Sequence, residues 1–171
     1  MDRSTTTITG EVYEDGNRLI GKAEVELPNI EPLTATVKGA GISGEPEVPI
    51  LGHVGNMTAK ITWIDTTPDV RRLMVQKYHH LEVWSAKQVQ NSSTGEFEVV
   101  SQKHILRACP AGTTVGKIAV GEVQGTESNF NVSYFKWVFG NDEICEIDVF
   151  NQIYRVGGQD LLSKVRAAVG L

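Results

Sequence analysis

Residues 81–90 and 96–108 are two extended runs on either side of Asn91-Ser92-Ser93-Thr94-Gly95, a cluster of turn-forming residues. A hairpin with arms this long needs partner strands, because a lone two-stranded ribbon is barely stable in water. The rest of the chain supplies them. Residues 8–13 and 18–26 flank Glu14-Asp15-Gly16-Asn17, a second hairpin signal. Residues 33–38, 57–65, 115–124, 130–139 and 143–150 also read as extended, with Gly140-Asn141-Asp142 turning the last pair. From 145 to 149 the alternation is clean: Cys145, Ile147 and Val149 share one face, Glu146 and Asp148 the other. Residues 130–139 are apolar on both faces, with Phe135, Trp137 and Phe139 against Val132, Tyr134 and Val138. Such a strand predicts a second cover, from a helix or a neighbouring subunit.

Only two segments predict helices. In the first, Thr67 is placed to cap, Pro68 opens the turn, and Val70, Leu73, Met74 and Tyr78 form one stripe. In the second, Asp160 favours the start, Leu161, Leu162, Val165 and Val169 face one way, and Gly170 stops it. The fold class is therefore mainly β, a sandwich or barrel with long hairpins and two short helices. No repeat or linker interrupts the 171 residues, which read as a single domain over 1–171.

The totals bound the function. Sixteen basic against twenty-one acidic residues give a net charge of −5, unsuited to gripping phosphates. Two cysteines, Cys109 and Cys145, are too few for a disulfide framework and read as small buried hydrophobes. The first residues lack the apolar core of a signal peptide, and no run reaches transmembrane length. Folding in a reducing cytoplasm, with no stable membrane association, is the expectation.

The candidate chemistry is thin. Gly39-Ala40-Gly41-Ile42-Ser43-Gly44 matches the dinucleotide-binding pattern, with Asp65 further along. That pattern works only where a helix opens behind it, and Pro46 and Pro49 forbid one here. His53, His79, His80 and His104 lack metal-ligand spacing, and neighbouring His79 and His80 point to opposite sides of a strand. Neither cysteine has a visible base beside it. Glu143, Glu146 and Asp148 lie along one hairpin arm, whereas a glycosidase pair faces across a cleft. They read instead as a solvated face, or as partners for basic groups on a neighbouring chain. No catalytic residue, metal ligand or cofactor is predicted.

Four places carry a family likeness. They are Leu27-Pro28-Asn29-Ile30; Gly39-Ala40-Gly41-Ile42; Glu146-Ile147-Asp148 with Asn151 and Ile153; and Val156-Gly157-Gly158-Gln159-Asp160 with Leu162, Arg166 and Val169-Gly170-Leu171. In order and spacing they resemble the major tail tube proteins of contractile-tailed bacteriophages and R-type bacteriocins. Gln159 stands where that family usually has a small apolar residue, and the long middle hairpin has no residue-level match. The resemblance implies a subunit that forms hexameric rings through a ring-closing β-barrel. The rings would stack into a hollow tube inside a contractile sheath. The partners implied are copies of itself, the sheath protein, the baseplate and tail-terminator proteins, and DNA only as passing cargo. The location implied is the virion tail, or a tail-like particle assembled in the bacterial cytoplasm.

On that reading the segment 39–55, with five glycines and two prolines, is an extended loop too apolar to stand in water. It is expected to make the contact between subunits or rings, through Gly39, Gly41, Ile42, Val48, Ile50 and Leu51. The hairpin 81–108 is expected to line the lumen, with Gln88, Gln90, Glu96, Glu98 and Ser101 among the lining residues. Two alternatives stand beside it. One is the tube protein of a type VI-like secretion system. The other is a carbohydrate-binding β-sandwich using Trp63, Trp84 and Trp137 as stacking platforms.

Overall fold

The computed structural model describes residues 3–64 and 67–171, so Asp65 lies outside the described residues. Six strands close on themselves: β1 (Arg3–Glu14), β2 (Arg18–Glu26), β5 (Met57–Trp63), β6 (His79–Gln90), β7 (Phe97–Thr114) and β8 (Glu127–Phe139). Their order around the wall is β8, β5, β2, β1, β6, β7, and β7 pairs back to β8, every pairing antiparallel. Closure covers most of the edge that an open sheet of this size would leave bare. The core inside joins Val12, Ile20, Met57, Ile61, Trp63, Leu81, Leu106, Phe130, Phe135 and Ile147.

β8 changes partners half way. Its first half pairs with β5 and its second with β9 (Asp142–Asp148), which carries β10 (Ile153–Val156) and β11 (Gln159–Asp160) outward as a side sheet. The switch lies at a bulge. Arg107 opposes Tyr134 while Ala108 opposes Val132, so Ser133 is an extra residue in β8. One extra residue reverses the alternation, and Phe130, Val132 and then Phe135 all turn inward into the core. The strand that reads as apolar on both faces thus needs no second cover for these rings. Tyr134, left outside, donates to Glu146 at 2.8 Å.

Several expectations are corrected. Residues 115–124 form no strand. β7 runs on through Cys109 and Pro110 to Thr114, and 115–126 is the loop leading into β8. The first helix is a 3₁₀ helix, Pro68–Met74, whose Val70 and Leu73 plug the core. Thr67 does not cap it with its side chain; the hydroxyl donates to the Ile20 carbonyl. The second helix, α1 (Ser163–Ala168), begins later than Asp160, which sits in β11. Asp160 still organises its start, accepting from the Leu162 amide at 3.0 Å and pairing with Arg166. Gly157 and Gly158 both have positive φ, as the two-residue turn between β10 and β11 requires.

Between β2 and β5 the chain leaves the barrel as a separate ribbon, β3 (Pro32–Thr36) paired with β4 (Glu47–Val54). The second half of the segment expected to be an extended loop is therefore a strand. Its root is fastened by the Gly55 amide to the Glu31 carbonyl, and by Ile30 and Val54 packed on the core.

Candidate assembly surfaces

The ribbon is the first surface. Every residue of β3 is exposed, and in β4 only Gly52 and Val54 are even half-buried. Leu33, Val37, Ile42, Val48, Ile50 and Leu51 are all exposed on it, Leu51 at 58%. A two-stranded ribbon with this much bare apolar surface is poorly stable alone, and such patches mark contact sites. Gly39 and Gly41 stand at its tip, where the Ile42 amide donates to the Gly39 carbonyl at 3.2 Å and Lys38 pairs with Glu45. Beyond the tip the chain enters β4, so no helix opens behind the glycine pattern. All six residues expected at a subunit contact lie on this one ribbon.

Near its root β4 bulges: Pro32 opposes Val54, but Thr34 opposes Pro49. Gly52 lies inside the bulge at φ +69, pressed against Leu162 so closely that any Cβ would collide with that side chain. Leu162 is buried just ahead of α1. The ribbon and the C-terminal helix thus hold each other against the barrel.

The second surface is the β6–β7 hairpin, which extends past the barrel with the first half of β1 beside it. Cross-strand partners share a face, so Gln88, Gln90 and Ser101 lie on one side with Trp84, Val99, Phe97 and Lys103. Glu98 lies on the other side, opposite Val89, and Glu96 sits in the connecting turn. The five residues expected to line a channel are therefore divided between two faces and a turn.

The face with Gln88, Gln90 and Ser101 continues across β8, β9 and β10 as a ladder of paired charges. Lys103 meets Glu82 at 2.8 Å, Lys136 meets Glu143 at 2.7 Å and Arg155 meets Glu146 at 2.9 Å. Hydrogen bonds from Lys103, Trp84 and His80 outweigh burial and hold the Glu82 carboxyl below its ordinary value. Burial, then the bond to Glu146, pushes the Tyr134 phenol up. Asp148 is also satisfied, accepting from the amides of Phe150 and Asn151 and from the Asn151 side chain at 2.7 Å. The three acids read as a free face or as partners for another chain are thus engaged within their own.

The other candidate groups have structural roles. Buried His79 bridges Glu14 at 2.8 Å and the Val75 carbonyl at 2.9 Å, tying the 3₁₀ helix to β1. His80 points to the opposite side, as expected. Cys145 is buried, and burial pushes its thiol up. Trp63 is inside the core, donating to Ser128 at 3.0 Å, and Trp137 is half-buried against His104. Only Trp84 keeps an exposed ring, and the Lys103 ammonium lies 4.5 Å from its centre. A sugar-stacking platform would have to displace that cation. Among the described residues no group of three His, Cys, Asp or Glu side chains is placed to hold a metal ion.

One surface was not legible in the strand pattern. In the loop 115–126, Val115, Ile118, Val120 and Val123 are exposed, Ile118 at 97%, and a Lys117–Glu122 ion pair braces them. The signal was Gly116, Gly121 and Gly125, three glycines in a run that reads as strand only if they are ignored.

The fold therefore offers a closed barrel, a bare apolar ribbon, an overhanging hairpin and an exposed apolar loop, all suited to contact with other chains. No curated protein matches the chain. A family model described as phage tail tube protein FII matches residues 7–170, close to the full length. The chain belongs to the phage tail tube protein FII family.

Proposed function

We propose that the chain, as one domain over 1–171, is the subunit of the inner tube of a contractile phage tail or phage-tail-like particle. The family makes it a structural tail tube protein of the virion tail, which assembles with other tail components. The finer reading is that six copies close a ring and the rings stack into a hollow conduit. A sheath surrounds it, and baseplate and terminator proteins meet its ends. DNA passes through if the particle is a phage. The observation that carries the stacking contact is the β3–β4 ribbon, with Ile42, Val48, Ile50 and Leu51 bare on a strand pair that needs cover. Obligate contacts of this kind bury on the order of 2,000 Å² or more.

The β6–β7 hairpin is the proposed lumen wall. Its outer face pairs Glu82 with Lys103, and paired charges in water exert little net pull on a phosphate backbone. That suits a conduit through which DNA slides without being gripped.

Negative-stain electron microscopy of the purified protein across a concentration series tests the reading, beside an Ile42→Glu/Leu51→Glu double variant. Hollow rings or tubes are expected for the wild type. The variant should stay monomeric, with its melting temperature shifted by no more than about 2 °C, as for exposed substitutions generally. A wild type that remains monomeric even with its tail partners added rejects the tube. A variant that assembles like the wild type rejects the ribbon as the contact.

A further inference from the structure

The barrel wall has a split. β1 pairs with β2 only over Glu11–Glu14 and Arg18–Lys22; beyond that, β1 is laddered only to β6 and β2 only to β5. The two bare strand edges face each other across a cleft of about 670 Å³, lined by Thr7, Ile8 and Thr9 on one side and by Ala23, Glu24 and Val25 on the other. Ile8, Leu27 and Ile64 stand exposed along its rim. The floor is unusual for a barrel interior. Gln102 and His104, each 4% exposed, line it and contact each other at 3.1 Å, yet Gln102 Oε1 and His104 Nδ1 have no partner.

Buried polar atoms without a partner are costly, and a folded chain rarely retains two side by side. Burial lowers the His104 imidazole to about 4, so the ring is neutral and carries one donor and one acceptor. With Gln102 Nε2 donating to His104 Nε2, the floor presents a free carbonyl oxygen and a free ring N–H. If the amide is turned over, it presents a free amide N–H and a free ring nitrogen. Either way the floor offers one donor beside one acceptor, which is the complement of an amide. Two bare strand edges with an amide-matching floor describe a receptor for extended peptide. Lys22 and Lys87 outnumber Glu24 on the lining, which favours a segment from a chain of net charge −5.

We propose that this split is a slot for an extended segment of a second copy of the chain, held by main-chain bonds to Thr7–Thr9 and Ala23–Val25 and by an amide seated on Gln102 and His104. The slot rests on the reading that the chain assembles with itself.

Hydrogen exchange of the wild type, as monomer and as assembled tubes, gives the first readout. The amides of residues 7–9 and 23–25 should gain at least tenfold protection on assembly. The Gln102→Met and His104→Phe variants give the second. Made together, the two substitutions remove both unpartnered atoms and the bond between the side chains, so the doubly substituted monomer should melt at or above the wild-type temperature. The concentration needed for assembly should nevertheless rise about tenfold or more, as expected for losing a buried hydrogen-bonded contact. Tubes that form with those amides still exchanging as in the monomer overturn the slot and leave the tube standing. So do folded variants that assemble at the wild-type concentration. Tubes protected there only after a small molecule is added assign the cleft to that molecule instead. A wild type that never assembles removes both readings.

Discussion

The sharpest test of how the ribbon is held is Gly52→Ala. Gly52 has φ +69, a conformation that costs a residue with a side chain about 1–2 kcal/mol. The new methyl would also fall on the Leu162 side chain, which is buried. Moving Leu162 out of its site forfeits up to about 2 kcal/mol of apolar burial. The sum is about 3 kcal/mol, and it acts on one joint, where β4 meets the start of α1. A local opening made easier by 3 kcal/mol is about a hundredfold more populated, at 1.4 kcal/mol per decade. Trypsin reads this directly, because Lys164 and Arg166 lie in α1. Cleavage there should accelerate about a hundredfold, while the melting temperature falls by no more than about 10 °C. Leu162→Ala in the Gly52→Ala background should cost at least about 1 kcal/mol less than it does alone, since the shortened side chain leaves room for the methyl. Wild-type cleavage of Gly52→Ala refutes the joint. Additivity of the two substitutions within about 0.5 kcal/mol refutes the collision as its cause.

The core and its polar groups carry further expectations. Burial alone would raise the Glu14 carboxyl, but hydrogen bonds from His79 and Arg72 outweigh it and hold it below its ordinary value of 4.5. Its contribution is therefore present above pH 4.5 and lost as pH falls through the lower folded value. Urea melts from pH 7 to 3 should show Glu14→Gln destabilised most at pH 7 and converging on the wild type in acid; parallel curves would refute the assignment. Deleting Ser133 removes the bulge and would turn either Val132 or Phe135 out of the core, so the variant should lose its cooperative melt, and a native-like melt would show that the bulge does not set the register. Cys109 is half-buried and Cys145 buried with its thiol pushed up, so one thiol per chain should titrate in the native protein and two after unfolding. Two thiols reacting at one native rate would contradict that burial.

What could be read in advance divides along a physical line. Hairpins written in local chemistry were legible: the turn at Asp15-Gly16-Asn17, the arms of β6 and β7, and the turn at Gly140-Asn141 between β8 and β9 all lie where turn residues put them. Features set by how strands meet across the barrel were not. The inward turn of both Val132 and Phe135 depends on a bulge whose partner lies 26 residues away, at Arg107. The extension of β7 beyond Pro110 depends on β8 lying alongside it.

The Glu146-Ile147-Asp148 stretch shows why a family motif can be visible while its purpose is not. Ile147 fills the core, Glu146 is fixed by Tyr134 and Arg155, and Asp148 closes the turn to Asn151. Each residue is needed to hold the side sheet on the barrel, so the motif marks a scaffold and names no reacting group. The residues proposed for the stacking contact follow a different logic. Ile42, Val48, Ile50 and Leu51 stood out because they are apolar in a stretch that could form no core of its own. Gln102 and His104 did not, because a glutamine and a histidine two apart on a strand read as a solvated face. Only closure of the wall turns them inward, and only the parting of β1 from β2 sets a cleft beside them.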